Sequence, residues 1–107
     1  FLLKAKEQKQ IVIGYGAAAK GNTLLNYCGI KKDLIKFVVD KSLSKQNKFL
    51  PGSHIPIYEE KIIKKIKPEF IVIFPWNIKD EIMKQLSYVK KWKTKFVVFI
   101  PKLKIYS

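Results

Sequence analysis

Glycines at positions 14 and 16 and an alanine at 19 follow a short apolar run and open a stretch of small residues, IVIGYGAAAKGN over 11–22. In an α/β domain, strand, glycine turn and helix start bring unpaired backbone amides close to a phosphate or another polar ligand group. Gly14, Gly16 and Ala19 fit G-x-G-x-x-A, and Asp40 stands 24 residues after Gly16, where an acid takes ribose hydroxyls. That pattern serves NAD, S-adenosylmethionine (SAM) or another adenosine ligand equally, and small residues at these positions also serve helix-on-sheet packing alone. Lys20 and Asn22 add a cation and an amide able to hold an anion. Tyr15, inside the turn, must point near any ligand bound there.

Two further segments carry polar chemistry. The segment from Asp40 runs through a long polar loop, 41–54, that ends in Gly52-Ser53-His54. Loops of that length in compact domains are functional or mobile. His54 is the only histidine, and with no sequence-adjacent partner it orients a ligand or serves structure rather than catalysing. In Pro75-Trp76-Asn77 the indole offers a stacking face and the amide both a donor and an acceptor. Asn77 equally suits an N-cap, because a helix is predicted to start at residue 78. No catalytic nucleophile or base and no metal-ligand cluster is evident. The single cysteine, Cys28, excludes an intrachain disulfide and reads as a small buried hydrophobe, consistent with a reduced, cytoplasmic protein.

The elements that would position these residues alternate. Strands are predicted at 11–15, 35–40, 55–58, 70–74 and 95–100, with helices at 20–28, 59–66 and 78–91. Gly29 stops the first helix, and Ile78, Ile82, Leu86 and Val89 recur at helical spacing in the last. Strands apolar on both faces and separated by helices predict an α/β, Rossmann-like doubly wound fold. It comprises a mostly parallel five-stranded sheet in the order 3-2-1-4-5, with helices on both faces. The three polar segments then share the carboxyl edge of the sheet, where such folds bind ligands. Residues 1–10 read as the tail of a preceding helix or linker, and 11–107 as a single domain excised from a longer protein.

The chain of 107 residues has a formal net charge of +14 and is 48% hydrophobic. Its 22 basic residues are all lysine, spread over every segment, so the bidentate forks of arginine that read guanine and phosphate are missing. Abundant Ile, Asn, Phe and Tyr match a genome rich in A and T codons. The charge therefore reads as solvated surface lysine rather than a nucleic-acid footprint, although such a field favours anionic ligands. No apolar run reaches the roughly 20 residues of a membrane helix, which predicts a soluble chain.

Taken in order, GYGAAAKGNTLLNYCGI, FVVDKSLSKQNKFLPGSHIPIY and IFPWNIKDEIMKQL resemble the C-terminal domain of bacterial SAM-dependent C-methyltransferases, including those that methylate nucleotide-linked deoxysugars. The resemblance covers residues 11–101. It implies a second Rossmann-like unit that binds no cofactor itself and helps form the nucleotide-sugar cleft. The parent enzyme would bind SAM in a preceding domain of the same polypeptide and carry a zinc-binding domain before that. The family's signature segments fall on 14–22, 40–42, 51–56 and 75–77. The resemblance thus implies substrate-binding roles for Gly14, Tyr15, Gly16, Lys20, Asn22, Asp40, His54, Trp76 and Asn77, and no catalytic role. Asn47 and Lys95 depart from the family, standing where glycines are expected. On this basis the chain alone is expected to be inactive as a methyltransferase. The alternatives are an independent NAD- or SAM-binding module and a purely structural interaction domain.

Overall fold

Apolar β-branched runs build the centre of the molecule. In the computed structural model, described at residues 5, 7–16, 35–40, 48–49, 55–98 and 103–106, they form one seven-stranded sheet. The strands are β1 (Val12–Tyr15), β2 (Val38–Val39), β3 (Lys48–Phe49), β4 (Pro56–Tyr58), β5 (Phe70–Ile73), β6 (Lys95–Val98) and β7 (Lys104–Tyr106). Their order is β3-β4-β2-β1-β5-β6-β7. The inner strands β4, β2, β1, β5 and β6 run parallel, while β3 and β7 add antiparallel edges.

The sheet therefore has two more strands than the five expected. β3 lies within the expected polar loop 41–54, and β7 follows the expected last strand. Both are short, and edge strands need only one row of partners, so neither carries the long apolar signal of a buried strand. The helix expected at 20–28, Cys28, Asn47 and the Pro101 stop lie outside the described residues.

Side chains alternate between the two faces of the sheet, as strand geometry requires. Val12, Val38, Val72, Phe74 and Val97 form one buried cluster with Ile35, Ile55 and Ile57. Ala5, from the segment expected as a tail or linker, is 2% exposed and belongs to that cluster. On the other face Ile13, Tyr15, Val39, Ile71, Ile73, Phe96 and Val98 meet Ile63, Ile82, Leu86 and Val89. Ile63 comes from α1 (Ile62–Ile66), Ile82 from α2 (Lys79–Gln85), Val89 from a 3-10 segment, Ser87–Trp92, and Leu86 from the junction between the last two.

The helix expected over 78–91 is thus two pieces. Leu86, with φ −96° and ψ 19°, closes α2, and the β-branched and aromatic run SYVKKW continues as a tighter helix. Leu86 and Val89, three apart, stay buried because a 3-10 turn stacks i over i+3. Ile78, expected on the apolar stripe, is 42% exposed, since it precedes α2 in a separate 3-10 turn, Trp76–Ile78. The helix expected from residue 59 begins at Ile62, after a turn at Glu60 and Lys61.

Lysines occupy left-handed turn positions that usually hold glycine or asparagine: Lys67 (φ 49°) before β5 and Lys93 (φ 62°) before β6. Each costs about 1 kcal/mol relative to glycine. Lys95, where the family pattern suggests glycine, instead sits in β6 opposite Phe70. Buried Thr94 closes the same corner by donating to the Pro68 carbonyl at 2.6 Å. No helix among the described residues is long and apolar enough to cross a membrane.

Candidate functional site

Strand order reverses between β1 and β5, and in open α/β sheets that switch point opens a crevice beyond the carboxyl ends of the strands. A cleft of about 260 Å³ lies there, lined by Tyr15, Gly16, Asp40, Pro75, Ile78, Glu81, Ile82 and Gln85. Tyr15 ends β1 and Gly16 follows it, Asp40 follows β2 and Pro75 follows β5. Three expected site residues, Tyr15, Gly16 and Asp40, therefore meet Pro75 of the third expected segment in this cleft.

Both glycines are engaged in the sheet and its packing. The Gly14 amide donates to the Phe37 carbonyl at 2.9 Å and the Gly16 amide to the Val39 carbonyl at 2.8 Å. Both amides are engaged between β1 and β2. A Cβ on Gly14 would overlap the Phe74 ring and stand 2.8 Å from Val38 Cγ1. Gly16, at φ +87°, has Pro75 Cδ 2.8 Å from where its Cβ would stand, so conformation and crowding both require glycine. The protein's own side chains occupy the space beside both glycines, as close packing of strand and neighbour requires.

Asn77 is exposed and does not cap α2. The N-cap residue is Ile78, which has no side-chain cap, because the intervening 3-10 turn shifts the helix start to Lys79. The backbone of Trp76 lies in that same turn, after the cleft residue Pro75. Lys20, Asn22 and His54 lie outside the described residues.

The cleft has an organised polar wall. Gln85 Nε2 lies 2.9 Å from Glu60 Oε1 and 3.0 Å from the Tyr15 hydroxyl oxygen. A carboxylate can only accept, so the atom facing Glu60 has to be the amide nitrogen, and its two hydrogens divide between Glu60 and Tyr15. The Tyr15 hydroxyl donates to Glu60 Oε1 at 3.4 Å and the Tyr88 hydroxyl to Oε2 at 3.5 Å. Glu60 thereby ties the turn before α1 to β1, α2 and the 3-10 segment. Lys64 Nζ over the Tyr88 ring at 5.3 Å and Lys67 Nζ over the Trp92 ring at 5.9 Å brace the same two elements.

Burial raises the Tyr15 phenol above its ordinary value, opposed by the Gln85 hydrogen bond and assisted by the Glu60 and Asp40 charges. Burial, followed by the charge and hydrogen bond of Glu60, pushes Tyr88 up to about 12. Both phenols therefore stay protonated at neutral pH. Because the folded value of Tyr88 exceeds the unfolded value near 10, its contribution to stability is complete below pH 10. That contribution is lost as pH rises towards 12. Thermal melts across this window should show a shallower alkaline decline for Tyr88→Phe than for the unmodified chain. Parallel curves would contradict the shift.

Glu60, Glu81, Gln85 and Tyr88 were not among the expected site residues. A signal existed for part of the wall: Ile78, Glu81, Ile82 and Gln85 stand at i, i+3, i+4 and i+7, the spacing of one helix face. Nothing local marks Glu60, which reaches Gln85 and Tyr15 only through tertiary folding. Among the described residues no group of three His, Cys, Asp or Glu side chains is placed to hold a metal ion.

A parallel sheet with its cleft at the switch point defines a Rossmann-type α/β domain. The crystal structure of UDP-D-quinovosamine 4-dehydrogenase from Vibrio fischeri shares this fold with a TM-score of 0.65. At 20% identity, 92% of this chain and 93% of that chain are covered. The chain belongs to the C-methyltransferase C-terminal domain family, whose model matches residues 1–101. It is 35% identical over 96 residues to the C-methyltransferase NovU of Streptomyces niveus. The match takes in 90% of this chain and spans 23% of the length of that relative.

Proposed function

We propose that the chain is the substrate-side domain of a SAM-dependent C-methyltransferase that acts on a nucleotide-linked deoxysugar in the cytoplasm. Ala5 of the leading segment packs into the core that 11–107 builds, and a preceding domain of the same polypeptide binds SAM and carries out the chemistry. Family membership supports C-methyl transfer as the parent activity.

The observation that carries the reading is family membership, and the state of the two glycines is compatible with it. The Gly14 and Gly16 amides are bonded within the sheet, and the space beside each glycine is taken by Phe74 or Pro75. These two positions thus serve packing within the sheet, and the assignment of SAM to the preceding domain rests on the family. The cleft volume, about 260 Å³, lies below the roughly 300–1,000 Å³ of sites that take a whole drug-sized ligand. It suits one ring of a larger substrate whose remainder rests elsewhere. Tyr15, Gly16 and Asp40 line that ring's site. On the family's signature segments, Lys20, Asn22, His54, Trp76 and Asn77 serve the rest of the substrate.

A double substitution tests the assignment. In the full-length protein, Lys20→Ala with Asn22→Ala should raise the substrate KM about tenfold or more and leave SAM affinity unchanged, because only the substrate side loses contacts. Unchanged KM and kcat would refute the substrate role of this turn. Loss of SAM affinity instead would favour a cofactor-binding module.

A further inference from the structure

The cleft wall has a fixed hydrogen-bond polarity. Gln85 Nε2 donates to both Glu60 and Tyr15, which leaves Gln85 only its carbonyl oxygen to offer a ligand. The Tyr15 hydrogen is directed at Glu60, so its oxygen has acceptor capacity remaining after the Gln85 bond. Glu81, exposed on the same wall, is an acceptor by nature. Although lysine is the only basic residue type apart from one histidine in this chain, no lysine lines the described part of the cleft.

We propose that Glu60 and Gln85 act as positioning residues that lock Tyr15 and the cleft wall into an acceptor-only state, so that the cleft takes the hydroxyl-bearing sugar ring and rejects the diphosphate. This assignment of substrate orientation rests on the nucleotide-sugar function proposed above. A sugar hydroxyl can donate to Tyr15, Gln85 and Glu81, and the apolar Pro75, Ile78 and Ile82 meet its C–H surface. A diphosphate only accepts, and would face acceptors on every described polar side chain of the wall. Glu60 sets this polarity by holding the Gln85 amide in one orientation. With glutamine at 60, either amide could flip, and Gln85 could turn a donor into the cleft.

Calorimetric titration of the full-length protein with thymidine diphosphate glucose and with thymidine diphosphate separates sugar from phosphate contacts. Glu60→Gln should weaken the sugar nucleotide about tenfold and change thymidine diphosphate by less than about twofold. Gln85→Met, on an exposed position of α2, should reproduce that selective loss without depending on the fold around Glu60. Glu59→Gln removes the same charge next door, where the exposed carboxylate pairs with Lys61 at 3.1 Å, and should affect neither ligand. Equal weakening of both ligands, or no weakening of either, overturns the orientation while leaving the substrate function standing. Failure of the unmodified protein to bind either ligand overturns that function and the orientation with it.

Discussion

Phe96→Ala should lower the unfolding free energy by about 4 kcal/mol, within the 3–5 kcal/mol typical of a fully buried phenylalanine. Phe96 is 0% exposed and sits in β6 between Ile71 of β5 and Tyr106 of β7. Its side chain belongs to the cluster that joins the sheet to Ile82, Leu86 and Val89. Truncation leaves a cavity bounded by strands on one side and two helical segments on the other. The parallel ladder prevents the strands from closing it without breaking hydrogen bonds. Domains of this size are stable by roughly 5–15 kcal/mol, so the loss removes a large share of the total. Urea unfolding should show a much lower midpoint at an unchanged slope. A loss under about 1.5 kcal/mol would contradict a packed core on this face.

Gly14→Ala should cost about 1–3 kcal/mol, the usual range for overpacking a tight core. The added methyl would overlap the buried Phe74 ring and crowd Val38 Cγ1, and no positive φ is involved, so the effect is steric. Trimming the obstacle tests that cause. Phe74→Leu with Gly14→Ala should be more stable than the sum of the two single losses predicts, a coupling that only contacting residues show. If glycine at 14 served ligand approach instead, Gly14→Ala would fold normally and lose binding. The same equilibrium melts, run on the single and double variants, distinguish these results.

The parts of the fold carried by long apolar runs were legible in the sequence. The strands FIVI and KFVV, and β1 up to Tyr15, lie where their apolar runs predict, because buried parallel strands leave no room for polar alternation. The edge strands β3 and β7 escaped because two or three residues paired on one side leave almost no pattern. The break at Leu86 escaped because Leu86 and Val89 keep the same burial whether the helix is α or 3-10.

At the site, convergence of Tyr15, Gly16, Asp40 and Pro75 was readable from topology, since the carboxyl ends of parallel strands must share an edge. The use of the glycines was not. Whether a missing Cβ faces a ligand or a neighbouring ring depends on Phe74 and Pro75, some 60 positions away in sequence. The Glu60–Gln85–Tyr15 network was illegible for the same reason, as its hydrogen bonds join residues up to 70 positions apart.

Amide-resolved NMR titration of this chain, with thymidine diphosphate glucose and SAM added separately, tests the substrate-side assignment most directly. The sugar nucleotide should shift the amides of Tyr15, Gly16, Asp40 and Gln85 in a saturable way, and SAM should leave them unmoved. Saturable SAM shifts centred on Gly14, Gly16 and Asp40, with none from the sugar nucleotide, would contradict the account and make the chain a cofactor-binding module.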